Sequence, residues 1–352
     1  MPVNFVAHFL CADGYGSLAE YGAMGMARAG ARVNLIPIKI FYEGLAPEVL
    51  ALAEKSTPYQ EGPVLFSAAL EPELELYAET EHFVHTMWES SRLPADWPAR
   101  LNRARAVIVP TRFVAEVCRS SGVTVPVEVV PEGVDPDVYP LVERPARESV
   151  TTLVVGTVLP RKHVVQAIEA WQLAFGDDPD ARLIIKSRFG TAKAFGLTVD
   201  DPRITVIDGQ EMVRGILHWY READVLLALG SEGFGLPLVE GMATGLPVIA
   251  LSSEGQGDVC TDAGDLVLPV PPGSWEEADE PLYGRCGVRG VPDVRKVAEH
   301  LTWVARHREE AAAMGAAASQ WAHRHRNIWE KGPATVDVME THMRPRRSLR
   351  AR

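Results

Sequence analysis

The sequence predicts an α/β protein built from two doubly wound domains, and three observations support this. Short apolar, β-branched runs alternate with longer amphipathic or Ala-rich stretches along the chain, which is the pattern of parallel sheets covered by helices on both faces. The alternation restarts once, at TTLVVGTVL, after a Pro-rich interval. The length of 352 residues suits two domains at roughly 150 residues each.

In chain order, Asn4–Phe9, Val33–Ile38, Val64–Ser67, His82–Met87, Ala106–Pro110 and Val127–Val130 read as strands of the first series. A helix is expected from Leu18 to Ala29, stopped by Gly30, since glycine just past the last helical turn is a common helix end. PEGVDPDVYPLVERPARE has four Pro and neither helical nor strand period, so Pro131 to Ser149 reads as an interdomain connection. TTLVVGTVL, ARLIIKS, ITVID, DVLLAL, PVIAL and DLVLPV are the strands of the second series. Val294 to Trp329 is Ala-, Arg- and Glu-rich with apolar residues at helical spacing, and predicts two helices. The expected divisions are 1–145, 146–330 and an Arg-rich, disordered tail at 331–352.

Composition bounds the function. The chain carries 35 Lys plus Arg against 47 Asp plus Glu, a net charge of −12, which opposes nucleic-acid binding over the whole surface. The last nine residues, RPRRSLRAR, are the exception with five Arg. They read as a disordered end, a contact for anionic lipid or a contact for nucleic acid. Four cysteines, Cys11, Cys118, Cys260 and Cys286, show neither CxxC nor metal-ligand spacing, which fits a reduced cytoplasm. With no apolar run of about 18 residues and no signal-like start, the expectation is a cytoplasmic protein without an integral membrane segment.

The chemistry concentrates in Gly230-Ser-Glu-Gly-Phe-Gly-Leu-Pro-Leu-Val-Glu-Gly-Met-Ala-Thr-Gly-Leu-Pro-Val-Ile-Ala250. A strand runs into a glycine-rich turn, and Pro237 suits the first helical position, because its missing N–H is one the helix could not use. Gly233 and Gly235 leave backbone N–H groups uncovered at the positive end of that helix, where an anion such as phosphate is held. Glu232 and Glu240 lie eight positions apart. They read as acceptors for sugar hydroxyls, or as a surface turn residue and a favourable first-turn charge.

EGFGLPLVEGMATGLPVIA resembles the Glu-x7-Glu signature of the family 4 retaining glycosyltransferases, which have the GT-B fold of two facing Rossmann-like domains. VVGTVLPRKHVVQAIEAWQLAF is similar to the opening of that family's nucleotide-sugar domain, PVEVVPEGVDPDVY to its linker, and WESSRLPADWPARLNRARAVIVPTRFVAEVCRSSGV to the last part of its acceptor domain. The resemblance runs from about Met87 to Ala250 in the family's order. It implies transfer of a sugar from a UDP- or GDP-linked donor to an unidentified acceptor hydroxyl, with no cofactor and no metal.

The resemblance also implies residue roles. Glu240 would bind the ribose hydroxyls and Glu232 the transferred sugar. The N–H groups of Phe234, Gly235 and Leu236 would meet the sugar and diphosphate, and Arg161 and Lys162 would grip the diphosphate. Gly156 and Thr157 stand where many relatives have Gly followed by a basic residue, so one charge of the family pattern is missing. Gly209, in the loop reaching Met212, falls where base contacts are expected. On the acceptor side, Gly14 and Gly16 stand in a turn that would approach the donor phosphates or simply connect a strand to a helix. Glu89, where relatives commonly place a His nearby, would orient the acceptor hydroxyl or cap the next segment. His85 reads as a core histidine.

Asp135-Pro-Asp137 and Asp178-Pro-Asp180 read as turns rather than metal ligands, and Glu71 to Glu81 as a solvated acidic run. The acceptor is left open among a small metabolite, a natural-product core, a glycan and a modified nucleobase. Two other readings stay open: a nucleotide-sugar hydrolase or epimerase of the same fold, and a non-catalytic nucleotide-sugar-binding protein.

Overall fold

The computed structural model describes residues 1–9, 14–144, 147, 149–187, 190–209 and 216–343. Two six-stranded parallel sheets form its frame. The first contains β1 (Pro2–Phe9), β2 (Arg32–Ile40), β3 (Val64–Ser67), β4 (His82–His85), β5 (Val107–Val109) and β6 (Val127–Val129), in the order β2-β1-β3-β4-β5-β6. The second contains β7 (Thr151–Val155), β8 (Arg182–Ser187), β9 (Ile204–Asp208), β10 (Val225–Ala228), β11 (Val248–Leu251) and β12 (Leu268–Val270), in the order β12-β11-β10-β7-β8-β9. The strands follow the apolar runs read from the sequence, and β3, β4, β5, β10 and β11 are buried at every position, so they show no polar alternation.

Helices α1 (Gly14–Arg28), α2 (Pro47–Lys55), α3 (Trp97–Leu101) and α4 (Arg112–Ser120) accompany the first sheet. Helices α5 (Val164–Phe175), α6 (Thr191–Ala194), α7 (Leu217–Glu222), α8 (Leu236–Ala243) and α9 (Glu254–Ala263) accompany the second. Helix α1 begins four residues earlier than the expected Leu18 and ends at Arg28, one before the expected Ala29. The N–H of Ala31 then reaches the carbonyl of Met26 at 3.0 Å, and Gly30 takes φ +85°. That left-handed residue past the helix end is the role its glycine suits.

Three features differ from the sequence reading. Pro272–Glu280 (β13) and Gly284–Pro292 (β14) form an antiparallel hairpin that the alternating pattern does not anticipate. It projects from the second domain onto the first: the N–H of Ser91 donates to Val288 O at 2.9 Å and the Ser90 hydroxyl to Cys286 O at 2.6 Å. Cys286 is buried in the first domain's core, and the Tyr283 ring meets Trp88 and Trp97 edge-on at 5.5 and 5.6 Å.

Second, α10 (Val294–Arg306) and α11 (Arg308–His325) are the two expected terminal helices, but a further helix, α12 (Lys331–Met343), corrects the reading of 331–352 as one disordered tail. Its Val336 and Met339 sit in the first domain's core, and a Cβ on Gly332 would lie 2.2 Å from the Gly25 carbonyl carbon, so α12 crosses α1 at backbone distance. The charge density that suggested disorder belongs to Arg344–Arg352 alone, which lie outside the described residues.

Third, part of the acidic run forms a 3₁₀ turn, Pro72–Tyr77, with Glu75 paired to Arg100 and Arg103. Among the described residues no helix is long and apolar enough to cross a membrane.

Candidate active site

A cleft of about 270 Å³ lies between the two sheets, bordered by the start of α1, the segment after β4, the interdomain connection and the ends of β7 and β8. Its remaining wall is the turn that opens α8. Parallel α/β sheets place ligands at the carboxyl ends of their strands, so both domains offer that edge to the same space.

The α8 turn is shaped by its glycines. Gly235 adopts φ +96°, and a Cβ there would also lie 2.8 Å from Gln256 Oε1. That left-handed residue turns the chain into α8, whose first two residues, Leu236 and Pro237, border the cleft. Gly233 has another purpose: a Cβ would come within 2.9 Å of Met87 Cβ and 3.1 Å of the Trp88 carbonyl. Its carbonyl also accepts from Thr111 Oγ1 at 3.0 Å. Gly233 therefore lets the two domains approach and is absent from the cleft lining, whereas Phe234, Gly235 and Leu236 border it.

Glu232, Arg161 and Lys162 all border the cleft, and they meet one another. Arg161 Nη1 lies 3.1 Å from one Glu232 carboxylate oxygen and donates to Ser231 O at 2.9 Å, while Lys162 Nζ pairs with the other carboxylate oxygen. Arg161 Nη2 is 3.4 Å from Glu89 Oε1. All four side chains are largely withdrawn from solvent. Burial raises the Glu232 pKa, but Lys162 and Arg161 outweigh it and leave the carboxyl below its usual range. Burial works against the Arg161 charge, and Glu89 and Glu232 more than offset it. For Lys162, burial prevails and the pKa falls despite Glu232.

Arg161 and Lys162 occupy a 3₁₀ turn, Pro160–Lys162, directly after the loop that follows β7. His163 ends that turn with φ +51°, and its Nε2 lies 3.0 Å from Gly290 O of the hairpin. The cationic turn is thus braced by the same hairpin that reaches Ser90 and Ser91, on either side of which lie Glu89 and Arg92.

Glu240 stands in the second turn of α8 rather than the first, because the helix starts only at Leu236. Its carboxylate borders the cleft and accepts the hydroxyls of Tyr139 and Tyr220 at 3.1 and 2.5 Å. Gly156 and Thr157 border the cleft, beside Lys186, whose Nζ donates to Ser187 O and Gly209 O at 2.7 Å each. Gly209 is exposed and outside the lining, and Gln210 to Met212 lie outside the described residues. On the opposite wall Gly14 faces Leu236, with its would-be Cβ at 3.4 Å from Leu236 Cδ1, whereas Gly16 is buried within α1.

His85 sits in a buried chain of polar groups. Its Nδ1 meets Ser67 Oγ at 2.8 Å, its Nε2 lies 2.9 Å from Glu132, and Glu132 receives Lys331 Nζ from α12 at 2.6 Å on both oxygens. Asp135 and Asp178 each bond the N–H two residues on, so both Asp-Pro-Asp strings are turns. Asp135 also borders the cleft and accepts the Tyr21 hydroxyl at 3.0 Å.

Sequence reasoning did not find Tyr15, Tyr139, Lys186 and Tyr220. Tyr15 lines the cleft beside Glu89, and burial followed by the Glu89 charge holds its phenol protonated far into the alkaline range. Tyr139 falls inside the quoted linker match, but nothing in its local sequence marks it as a partner of Glu240.

Residues 142–282 match the profile of the family described as Glycosyl transferases group 1. No curated protein sequence matches the chain. In structure it is similar to Anabaena Alr3699/HepE in complex with UDP and glucose, with TM-score 0.66 and 14% identity over 97% of this chain and 100% of that one. It is also similar to a glycosyltransferase from Rickettsia africae, with TM-score 0.69 and 12% identity over 97% and 98%. An E. coli trehalose-6-phosphate protein bound with UDP-2-fluoro glucose aligns with TM-score 0.66 and 12% identity over 97% and 99%. The second domain therefore carries the group 1 glycosyl transferase pattern, and the whole chain has the GT-B fold.

Proposed function

We propose that this protein is a retaining glycosyltransferase that moves a sugar from a UDP- or GDP-linked donor to an acceptor hydroxyl without a metal ion. One observation carries the reading: Arg161 and Lys162 converge on Glu232 at the mouth of the α8 turn, with Glu240 farther along the same helix. On this reading the fixed positive groups share the cleft with the start of α8 and with the Glu232 and Glu240 carboxylates. The UDP and UDP-sugar present with HepE and the E. coli protein favour uridine as the base.

Cleaving a sugar–phosphate bond builds negative charge on the leaving diphosphate, and fixed dipoles and cations aimed at those oxygens lower the barrier. Arg161, Lys162 and the N-terminus of α8 supply them here. Both cations pair with Glu232, and Arg161 pairs with Glu89 as well, so two carboxylates face two cations. Donor binding exchanges partners: the diphosphate takes the cations, and the sugar hydroxyls donate to Glu232. Retention follows if the acceptor attacks from the face the diphosphate leaves, with a phosphate oxygen taking the acceptor proton. The C1–phosphate oxygen bond breaks, the C1–acceptor oxygen bond forms, and the proton leaves with the diphosphate. Glu89, paired with Arg161 on the first-domain side of the cleft, is the residue to which this mechanism assigns orientation of the acceptor hydroxyl.

Two tests separate these roles. Glu240→Ala is expected to weaken UDP binding by about tenfold or more, as loss of hydrogen bonds to a charged group does. Glu232→Ala should leave UDP binding within about threefold and lower the transfer rate, since its partner is the sugar. Calorimetry with UDP and initial rates with the UDP-sugar check both, and equal effects on UDP binding would refute the division. Transfer should also continue in EDTA, and a loss restored by magnesium or manganese would overturn the metal-free mechanism.

A further inference from the structure

The Glu240 carboxylate is held by two phenols that come from separate parts of the fold. Tyr220, on α7, donates to Oε2 at 2.5 Å, and Tyr139, on the interdomain connection, donates to Oε1 at 3.1 Å. Neither ring has room to move: Tyr220 is 0% exposed and Tyr139 4%, and they pack edge-to-face with centroids 6.0 Å apart. The backbone of Tyr139 is tied down as well, its carbonyl lying 2.8 Å from His323 Nε2 on α11. Burial and then the Glu240 charge push both phenol pKa values well up, so both remain donors.

One tyrosine on each oxygen sets the plane of the carboxylate as well as its position. A carboxylate has about four acceptor sites on its two oxygens, and this one stands in the cleft wall. A vicinal diol presents two O–H donors spaced to meet both oxygens of a single carboxylate, and it gains most from a carboxylate whose plane is already set. A site built to hydrogen-bond a hydroxyl rejects the analogue lacking it, because a buried acceptor is then left unmet.

We propose that Tyr139 and Tyr220 are positioning residues that preset the Glu240 carboxylate for the ribose 2′,3′-diol, making the donor site selective for ribonucleoside over 2′-deoxyribonucleoside diphosphates. The proposal rests on the reading of Glu240 as the ribose acceptor. Because Tyr139 belongs to the connection between domains, the same contact ties the donor site to the interdomain segment.

The test measures binding by calorimetry for the wild type, Tyr139→Phe and Tyr220→Phe, using UDP, GDP and the 2′-deoxy form of whichever binds more tightly. In the wild type the 2′-deoxy form is expected to bind about tenfold more weakly. In each Phe variant that ratio should fall to about threefold or less, with the parent nucleotide also weakened. A ratio unchanged or widened in both variants overturns the proposal, since tyrosines that only pack would shift both ligands equally. A wild type that binds UDP or GDP without discriminating the 2′-deoxy form overturns it as well, while leaving the donor reading intact. Failure of the wild type to bind either nucleotide refutes the donor reading itself, and the tyrosine proposal with it. If Tyr220→Phe does not fold, Tyr139→Phe reads the same coupling through the other oxygen.

Discussion

Lys162→Met is expected to lower kcat by about 10²- to 10³-fold, the cost of removing one donor aimed at a developing charge. Methionine keeps the length and apolar stem of the side chain, so the change isolates the ammonium that faces Glu232. Binding of the intact UDP-sugar should weaken less than kcat falls, because the diphosphate charge grows as the sugar–phosphate bond breaks and the missing cation is felt most there. Arg161 stays in place through Ser231 O, Glu232 and Glu89, which limits collateral rearrangement. Steady-state kinetics with the UDP-sugar, together with calorimetric binding of the intact UDP-sugar without acceptor, separate the two effects. An unchanged kcat with a raised KM would mean that Lys162 only holds the ground state.

Lys331→Met should produce the largest loss of stability. The substitution leaves the Glu132 carboxylate, whose side chain is 0% exposed, without the cation that touches both of its oxygens. Breaking a buried pair by removing one partner costs about 3–5 kcal/mol, and thermal or denaturant unfolding measures it. Glu132→Gln combined with Lys331→Met should recover much of the loss, because no buried charge then remains.

The pH dependence has a definite sign. In the native protein burial raises the Glu132 pKa, but Lys331 and His85 outweigh it and hold the carboxyl below its usual range. Its contribution is therefore complete above the unfolded carboxylate pKa of about 4.3 and is lost as pH falls through the depressed native value. In Lys331→Met burial acts with less opposition and favours the protonated carboxyl. His85, freed from the Lys331 charge that helps to lower its pKa, also protonates more readily. The stability gap between variant and native protein should narrow as pH falls from neutrality toward about 5. A gap that widens on acidification would show that Lys331 does not act through Glu132.

The cleft wall around the α8 turn was legible in the sequence to the extent that its parts lie close together along the chain. The strand before Gly230, the left-handed Gly235, Pro237 in the first turn of α8 and the eight-residue spacing of Glu232 and Glu240 are local matters of backbone conformation and helical register. The adjacent Arg161 and Lys162 were readable for the same reason. Assigning Gly233 to phosphate approach missed what it meets, the Met87 Cβ and the Trp88 backbone, more than 140 residues away. The tyrosines holding Glu240 and the lysine holding Glu132 escaped notice because each is an ordinary residue of a helix or connection until the fold brings it against a carboxylate.

The Arg-rich end shows the opposite error. Its composition was extended backwards over Lys331–Met343, whose buried Val336 and Met339 make sense only once α1 is beside them. Residues 271–293 carried no readable period. Their hairpin is defined by pairing with itself and by contacts such as Cys286 in the other domain's core.

By itself the sequence determined the two α/β domains, the glycine turn with its paired glutamates and the basic pair after β7, because propensity, hydrophobic period and turn chemistry act over a few residues. The tertiary structure alone decided that Glu232 pairs with both cations and that Glu89 shares Arg161 with it. It also decided that a hairpin and a final helix from the second half complete the first domain, and that two buried phenols orient Glu240. These are pairings between groups far apart in the chain, where burial in a low-dielectric interior makes each unmatched polar group costly, and no local pattern records which partner will meet it.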